Sequence, residues 1–103
     1  MSAEFADLQP DESLLFGSWT ESAARSVHDH VDQRILWLVT RRLVLVASAE
    51  AGWRQLYRDP RDGRLWELTF PHGSLHGGGP RRLSVLSSEV ARESYRLSAA
   101  DAW

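Results

Sequence analysis

The sequence predicts an α+β fold in which a small antiparallel sheet packs on one long amphipathic helix, followed by a short C-terminal helix. From Ala23 to Ala49, apolar residues recur at intervals of three and four, which is the spacing of one helix face. The runs Trp53–Arg58 and Leu65–Phe70 alternate as strands do, and they flank the turn-forming segment Asp59–Gly63. This arrangement predicts a β-hairpin. Serines precede the stretch Glu89–Leu97, which predicts a short capped helix.

The chain of 103 residues has room for one domain, 1–103, with residues 1–10 and 98–103 expected to be loose. Two further strands are predicted, at Asp11–Trp19 and at Leu83–Leu86. Gly17, inside the first of these, is expected to mark a bulge or a close contact. The chain has no cysteine, which excludes a disulfide framework, a thiolate zinc site and a cysteine nucleophile.

The N-terminal residues are acidic and lack the basic and apolar regions of a signal peptide. The longest apolar run, Leu43–Ala47, is far shorter than the roughly 20 residues that span a bilayer. We therefore expect a cytoplasmic protein that makes no membrane contact.

Charge is distributed unevenly along the chain. Residues 1–33 hold seven acids and one arginine, whereas residues 34–82 hold nine arginines and four acids. An acidic part and a basic part of one small chain are expected to face each other inside the fold. All twelve cationic residues are arginine, whose planar guanidinium suits carboxylates and aromatic faces.

Several residue types invite a catalytic or ligand-binding reading. The sequence Gly77–Gly79, followed by Arg81, can hold an anion with backbone N–H groups, although it lacks the spacing of a nucleotide-binding loop. Glu67 and His76 are the residues that a hydrolase would use as an acid–base pair. A small module that binds an anionic ligand is therefore one alternative, and a hydrolase is another.

The four histidines do not form a metal-ligand pattern. His28 and His30 point to opposite sides of the predicted helix, and His72 and His76 lack a third ligand. No nucleophile elbow and no metalloprotease motif is present. We predict no catalytic, cofactor-binding or metal site.

The segment Leu56–Leu83 resembles the core motif of the immunity protein 27 family of bacterial polymorphic-toxin systems. It contains L-Y-R-x-P-x-D-G, then W-E-L-x-[YF]-P, and then H-G-G-G-P, in that order. The motif positions, to which we assign structural roles, are Trp66, Glu67, His76, Gly77, Gly78, Gly79 and Pro80. The resemblance implies a small cytoplasmic protein, without a cofactor, that binds a cognate secreted toxin and blocks it, and that is not an enzyme.

The acidic part of the chain is the expected docking face for that toxin. Many toxins attack nucleic acid and carry basic sites, so charge complementarity favours an acidic surface with an aromatic anchor. The residues expected there are Asp11, Glu12, Trp19, Glu21, Asp29 and Asp32. Direct binding of nucleic acid is not expected, because the pI is near 6.0.

Overall fold

The structure, a computed structural model, describes residues 5–17, 19–22, 25–28, 30–71 and 81–96, and it describes the backbone alone for residues 19–22 and 25–28. In chain order the elements are β1 (Leu14–Phe16), β2 (Trp19–Ser22), β3 (Arg25–His28), α1 (His30–Arg41), β4 (Val44–Ala49), β5 (Arg54–Arg58), β6 (Leu65–Thr69), β7 (Arg82–Leu86) and α2 (Ser88–Ser94). The predicted α+β class is confirmed.

Five strands form one antiparallel sheet in the order β1-β7-β6-β5-β4, and β2 pairs with β3 in a separate hairpin. The predicted hairpin is confirmed as β5 and β6. At its turn, the Asp59 carboxylate accepts the Arg61 N–H at 2.9 Å, and Gly63 adopts a φ of +79°. Asp59 and glycine are residues that such a turn favours, the first for this hydrogen bond and the second for the left-handed conformation.

Helix α1 covers one face of the sheet. Its buried side chains Ile35 and Leu38 lie three residues apart on one helix face and join a core that includes Trp66, Leu68 and Leu83. These five side chains are at most 3% exposed. This cluster is the main hydrophobic core, and it fixes the sheet on α1.

Helix α2 covers part of the opposite face. Ala91 packs there against Leu56 and Leu65, and all three are at most 3% exposed. The helix begins at a capping residue, since the Ser87 hydroxyl accepts the Val90 N–H at 3.2 Å. The short C-terminal helix predicted from the sequence is thus confirmed, although it ends at Ser94.

The long helix predicted over Ala23–Ala49 is wrong in its extent. Only His30–Arg41 is helical, with β3 before it and β4 after it. The apolar run at 44–49 fits helix and strand spacing equally, because it is too short to show a period. Its β-branched Val44 and Val46 favour a strand, and pairing with β5 decides the outcome.

The end of α1 carries no glycine or proline that would have revealed it. Instead the N–H groups of Arg42 and Leu43 both donate to the Leu38 carbonyl at 2.8 Å, which closes the helix and redirects the chain into β4. The strand expected over Asp11–Trp19 is likewise divided, with β1 ending at Phe16 and β2 beginning at Trp19.

The N-terminal segment is held in place where the structure describes it, so the expectation that residues 1–10 are loose fails for residues 5–10. Leu8 is 3% exposed and belongs to the main core. Arg34 donates to the carbonyls of Ala6 and Asp7, and Arg64 donates to the carbonyl of Gln9, each at 2.9 Å. Arginine side chains thus donate hydrogen bonds to backbone carbonyl groups that lie outside the strands. Residues 98–103 lie outside the described residues.

The predicted facing of acidic and basic segments is confirmed by ion pairs. Glu12 pairs with Arg34 at 2.8 Å, and Asp32 pairs with Arg81 at 2.7 Å. Asp7 also pairs with arginines of the basic part of the chain. Within the described ranges, neither helix has the length and apolar character needed to cross a membrane.

Candidate functional site

The face of the sheet that carries α2 is only partly covered by that helix. Beside the helix, the strand register places four side chains in one row across neighbouring strands, because paired residues on antiparallel strands point to the same face. We call these residues the open row: Phe16 of β1, Arg82 of β7, Thr69 of β6 and Arg54 of β5. Phe16 is 46% exposed and the other three are half-buried.

A hydrogen-bonded cluster joins the open row to α2. Arg54 donates from Nε and Nη2 to Glu67 Oε2, at 3.1 and 2.9 Å, and the Tyr95 hydroxyl donates to the same oxygen at 2.8 Å. The Arg54 guanidinium also lies 4.9 Å from the centre of the Tyr95 ring. Glu50, from the turn before β5, accepts a further bond from Arg54 at 3.3 Å.

The electrostatics of this cluster keep the Tyr95 hydroxyl and the Arg54 guanidinium protonated. Burial, together with the hydrogen bond to Glu67, raises the pKa of the Tyr95 hydroxyl, so tyrosine remains a donor. The hydrogen bond to Glu67 raises the pKa of Arg54. The cluster is therefore a fixed polar platform that holds the end of α2 on the sheet.

Two members of the open row have a polar group without a hydrogen-bond or ion-pair partner among the described residues. Thr69 Oγ1 is buried and has no hydrogen-bond partner among the described residues. Arg82 makes no ion pair or side-chain hydrogen bond with any residue that the structure describes. Arg82 lies directly opposite both Thr69 and the exposed Phe16. The row thus combines an exposed aromatic ring with a cation and a hydroxyl that have no partner within the described ranges.

This arrangement is suited to recognition. Glu67 Oε2 already receives three hydrogen bonds, which is the environment of a structural carboxylate. Its proposed acid–base partner, His76, lies outside the described residues. Across the ranges that the structure covers, no group of three His, Asp or Glu residues could hold a metal ion.

The residues of the sequence motif divide into two groups. Trp66 is fully buried in the main core, with the Arg64 guanidinium 5.0 Å from its ring centre, and its Nε1 has no described partner. Glu67 belongs to the cluster with Arg54 and Tyr95. The others, His76, Gly77, Gly78, Gly79 and Pro80, lie outside the described residues.

Of the six residues expected on the acidic docking surface, the structure describes the side chains of three, Asp11, Glu12 and Asp32. Asp32 is 1% exposed, so it is an internal residue. Glu12 accepts two hydrogen bonds of 2.8 Å from Arg34, which hold the pKa of its carboxyl at about 2. Asp11 is exposed. For Trp19 and Glu21 only the strand backbone is described, and Asp29 lies outside the described residues.

Asp32 instead lies inside the fold, where it connects α1 with the residue before β7 and packs against the end of β1. Its carboxylate accepts the backbone N–H and the Nη1 of Arg81, both at 2.7 Å. The Gly17 N–H donates to the Arg81 carbonyl at 2.8 Å. A Cβ on Gly17 would lie 2.6 Å from the Asp32 Cβ, so glycine is needed where β1 passes the start of α1. The close contact expected at Gly17 is confirmed.

Sequence reasoning did not single out Tyr95, Thr69 or Arg82 as functional residues. The hairpin register could have predicted that Arg54 is a diagonal neighbour of Glu67, because Leu56 pairs with Glu67. Nothing in the local sequence indicates that Tyr95 reaches Glu67, since this contact depends on how α2 packs on the sheet.

Comparison with known proteins assigns this chain to a family. The model of the immunity protein 27 family matches residues 22–87, which is more than half of the chain and includes α1 and the strands β3–β7. Neither a curated protein nor a solved structure matches the chain. The chain belongs to the immunity protein 27 family.

Proposed function

We propose that this immunity protein neutralises a cognate secreted bacterial toxin by binding it and covering its active site. The family match over residues 22–87 is the observation that carries the proposal. Proteins of this kind act in competition between bacteria that secrete polymorphic toxins. The protein acts in the cytoplasm, where the toxin reaches its target.

Binding, rather than chemistry, is the proposed mode of action. Several charged side chains of the described part of the chain form internal ion pairs, such as Arg34 with Glu12 and Arg54 with Glu67. Such pairs fix side chains before the partner arrives and so reduce the entropy lost on binding. A specific complex of this kind buries roughly 1,200–2,000 Å² in total.

The alternative of a module that holds an anion on the glycine loop loses support. It relied on Arg81 as the cation beside Gly77–Gly79. Arg81 instead gives its backbone N–H and Nη1 to the buried Asp32. The glycines themselves lie outside the described residues.

Co-expression tests the proposed function directly. Candidate toxin domains, sought first among the genes next to that of this chain, are expressed in bacteria from an inducible promoter, with or without this chain. We expect growth to stop with the toxin alone and to be restored by the chain. A Trp66→Asp variant, which places a charge in the main core, is the misfolded control and should not protect. Growth arrest that is identical with and without the folded chain would contradict the proposal.

A further inference from the structure

The open row is a surface on which the described part of the chain leaves binding groups without partners. It consists of Phe16, Arg82, Thr69 and Arg54, and none of these is an acid. The nearby acids Glu50 and Glu67 both pair with Arg54. The charge of Arg82 is therefore not balanced by any acid that the structure describes.

The buried hydroxyl of Thr69 adds an independent observation. A buried polar group without a hydrogen bond costs free energy, so each such group calls for a reason. Thr69 lies between Arg54 and Arg82 in the strand register, with side chains about 5 Å apart across each pair of strands. An acceptor placed between these two arginines would supply the missing hydrogen bond.

The chemistry of the row selects a carboxylate as this acceptor. A carboxylate has two oxygens, so it can accept from the Arg82 guanidinium and from the Thr69 hydroxyl together. Exposed apolar side chains border the position on β1, where Leu14 is 49% and Phe16 is 46% exposed. Arginine and aromatic side chains with an apolar border are the usual composition of an interface centre.

We propose that an acidic side chain of the cognate toxin docks on the open row, forms an ion pair with Arg82, and accepts a hydrogen bond from Thr69. The proposal rests on the proposed function and names the surface that the toxin contacts. Phe16 packs against the apolar residues that flank the toxin's acid. Because Thr69 Oγ1 is covered in the free chain, a neighbouring side chain moves outwards as the carboxylate enters.

A protein fits this surface better than a nucleic acid. Nucleic-acid affinity depends on several simultaneous phosphate contacts. The open row offers one unpaired arginine, and the whole chain carries a net charge of −2. One ion pair beside an apolar border is sufficient for a protein contact but not for a phosphate backbone.

Three variants test the proposal with the purified candidate toxin domain. Arg82→Ala removes the ion pair, and Thr69→Val removes the hydroxyl while keeping the shape of the side chain. Arg41→Ala is the matched control, because Arg41 is an exposed arginine on α1 and lies outside the open row. Dissociation constants are measured at low and high salt, and melting temperatures are measured for each free variant.

The proposal predicts separate effects on binding and on folding. We expect Arg82→Ala to weaken binding by about tenfold to a hundredfold and to reduce its salt dependence, as for a lost charged hydrogen bond. We expect Thr69→Val to weaken binding by about fivefold to tenfold, as for a lost neutral donor, while the melting temperature stays the same or rises. Arg41→Ala should bind as the unchanged chain does.

The outcomes distinguish failure of this proposal from failure of the proposed function. If the unchanged chain does not bind the toxin at all, the proposed function fails, and the surface proposal falls with it. If the unchanged chain binds and protects, but Arg82→Ala and Thr69→Val bind equally well, the open row is not the docking surface. A fourth variant changes the exposed Asp11 to lysine, and loss of binding by Asp11→Lys alone would place the toxin on the N-terminal acidic side instead. Binding that disappears after nuclease treatment would assign the contact to nucleic acid.

Discussion

Gly17 has no side chain, and this allows the end of β1, the start of α1 and the residue before β7 to pack closely together. A Cβ at this position would lie 2.6 Å from the Asp32 Cβ and 2.9 Å from its Cα. Asp32 cannot move away freely, because Arg81 holds its carboxylate with two hydrogen bonds. We expect Gly17→Ala to lower the free energy of unfolding by about 1–3 kcal/mol, as for an overpacked core. An unchanged urea midpoint for this variant would show that β1 and α1 can separate at little cost.

Glu12 gives a second residue-level prediction, which concerns pH. The hydrogen bond from Arg34 holds its pKa at about 2, compared with its usual 4.5. As the pH falls, the unfolded chain therefore binds this proton before the folded chain does. The stability that Glu12 contributes is complete above about pH 4.5 and is lost as the pH falls to about 2.

The measurement compares urea unfolding of the unchanged chain with that of Glu12→Gln from pH 7 to pH 2. We expect Glu12→Gln to be less stable at neutral pH, with a difference that shrinks between pH 4.5 and pH 2. Glu93→Gln, which changes an exposed acid on α2, is the control and should show a smaller difference at neutral pH. A constant difference across the whole range would contradict the role given to Glu12.

At the scale of elements, the connection from β4 to β5 stores conformational strain. It is a tight turn over Glu50–Gly52, in which Ala51 adopts the left-handed conformation with φ 55° and ψ 33°. A side chain in this conformation costs about 1–2 kcal/mol, which glycine avoids. Ala51 is exposed, so its methyl group contributes little packing.

We expect Ala51→Gly to raise the free energy of unfolding by about 0.5–1 kcal/mol, after allowing for the greater freedom of glycine in the unfolded chain. Ala49→Gly is the matched control, because Ala49 has an extended backbone with φ −143° and should lose stability on the same change. Thermal unfolding of both variants provides the comparison. A loss of stability in both would mean that the left-handed conformation is not strained.

The elements that the sequence predicted well are those with turn-forming or helix-capping residues at their ends. The β5–β6 hairpin has its turn chemistry in Asp59 and Gly63, and α2 has its cap in Ser87. The extent of α1 was predicted wrongly because no glycine or proline marks its end at Arg41. The apolar spacing continues into β4, and only pairing with β5 decides that this run is a strand.

The candidate site was less predictable than the fold, since it is made by contacts between distant elements. The motif drew attention to Glu67, and the hairpin register brings it near Arg54. The position of Tyr95 depends on the packing of α2. The presence of Phe16 beside Arg82 depends on the pairing of β1 with β7, which links the two ends of the chain. No local sequence pattern encodes either contact.

At the scale of the whole molecule, the charged side chains mainly stabilise the fold through internal ion pairs. Acids of residues 1–33 pair with arginines of residues 34–82, as in Asp7 with Arg42 and Asp32 with Arg81. Three arginines of the β5–β6 hairpin segment, Arg54, Arg61 and Arg64, are likewise engaged in internal ion pairs. For example, Arg64 donates to Asp62 and to the Glu12 carbonyl, both at 2.7 Å. Formal charge counted from the sequence therefore overstates the charge that is free to meet a partner.

We propose that the protein stops its toxin by binding it, without altering it chemically. The most direct test is a titration of the purified toxin domain with increasing amounts of this protein, with the residual toxin activity measured at each ratio. We expect the activity to fall linearly to zero at about one equivalent, as for a tight complex of standard interface size. Separation of the complex under denaturing conditions, followed by refolding of the toxin, should restore full activity. Complete inactivation by a small fraction of one equivalent, or a toxin that stays inactive after separation, would contradict the account.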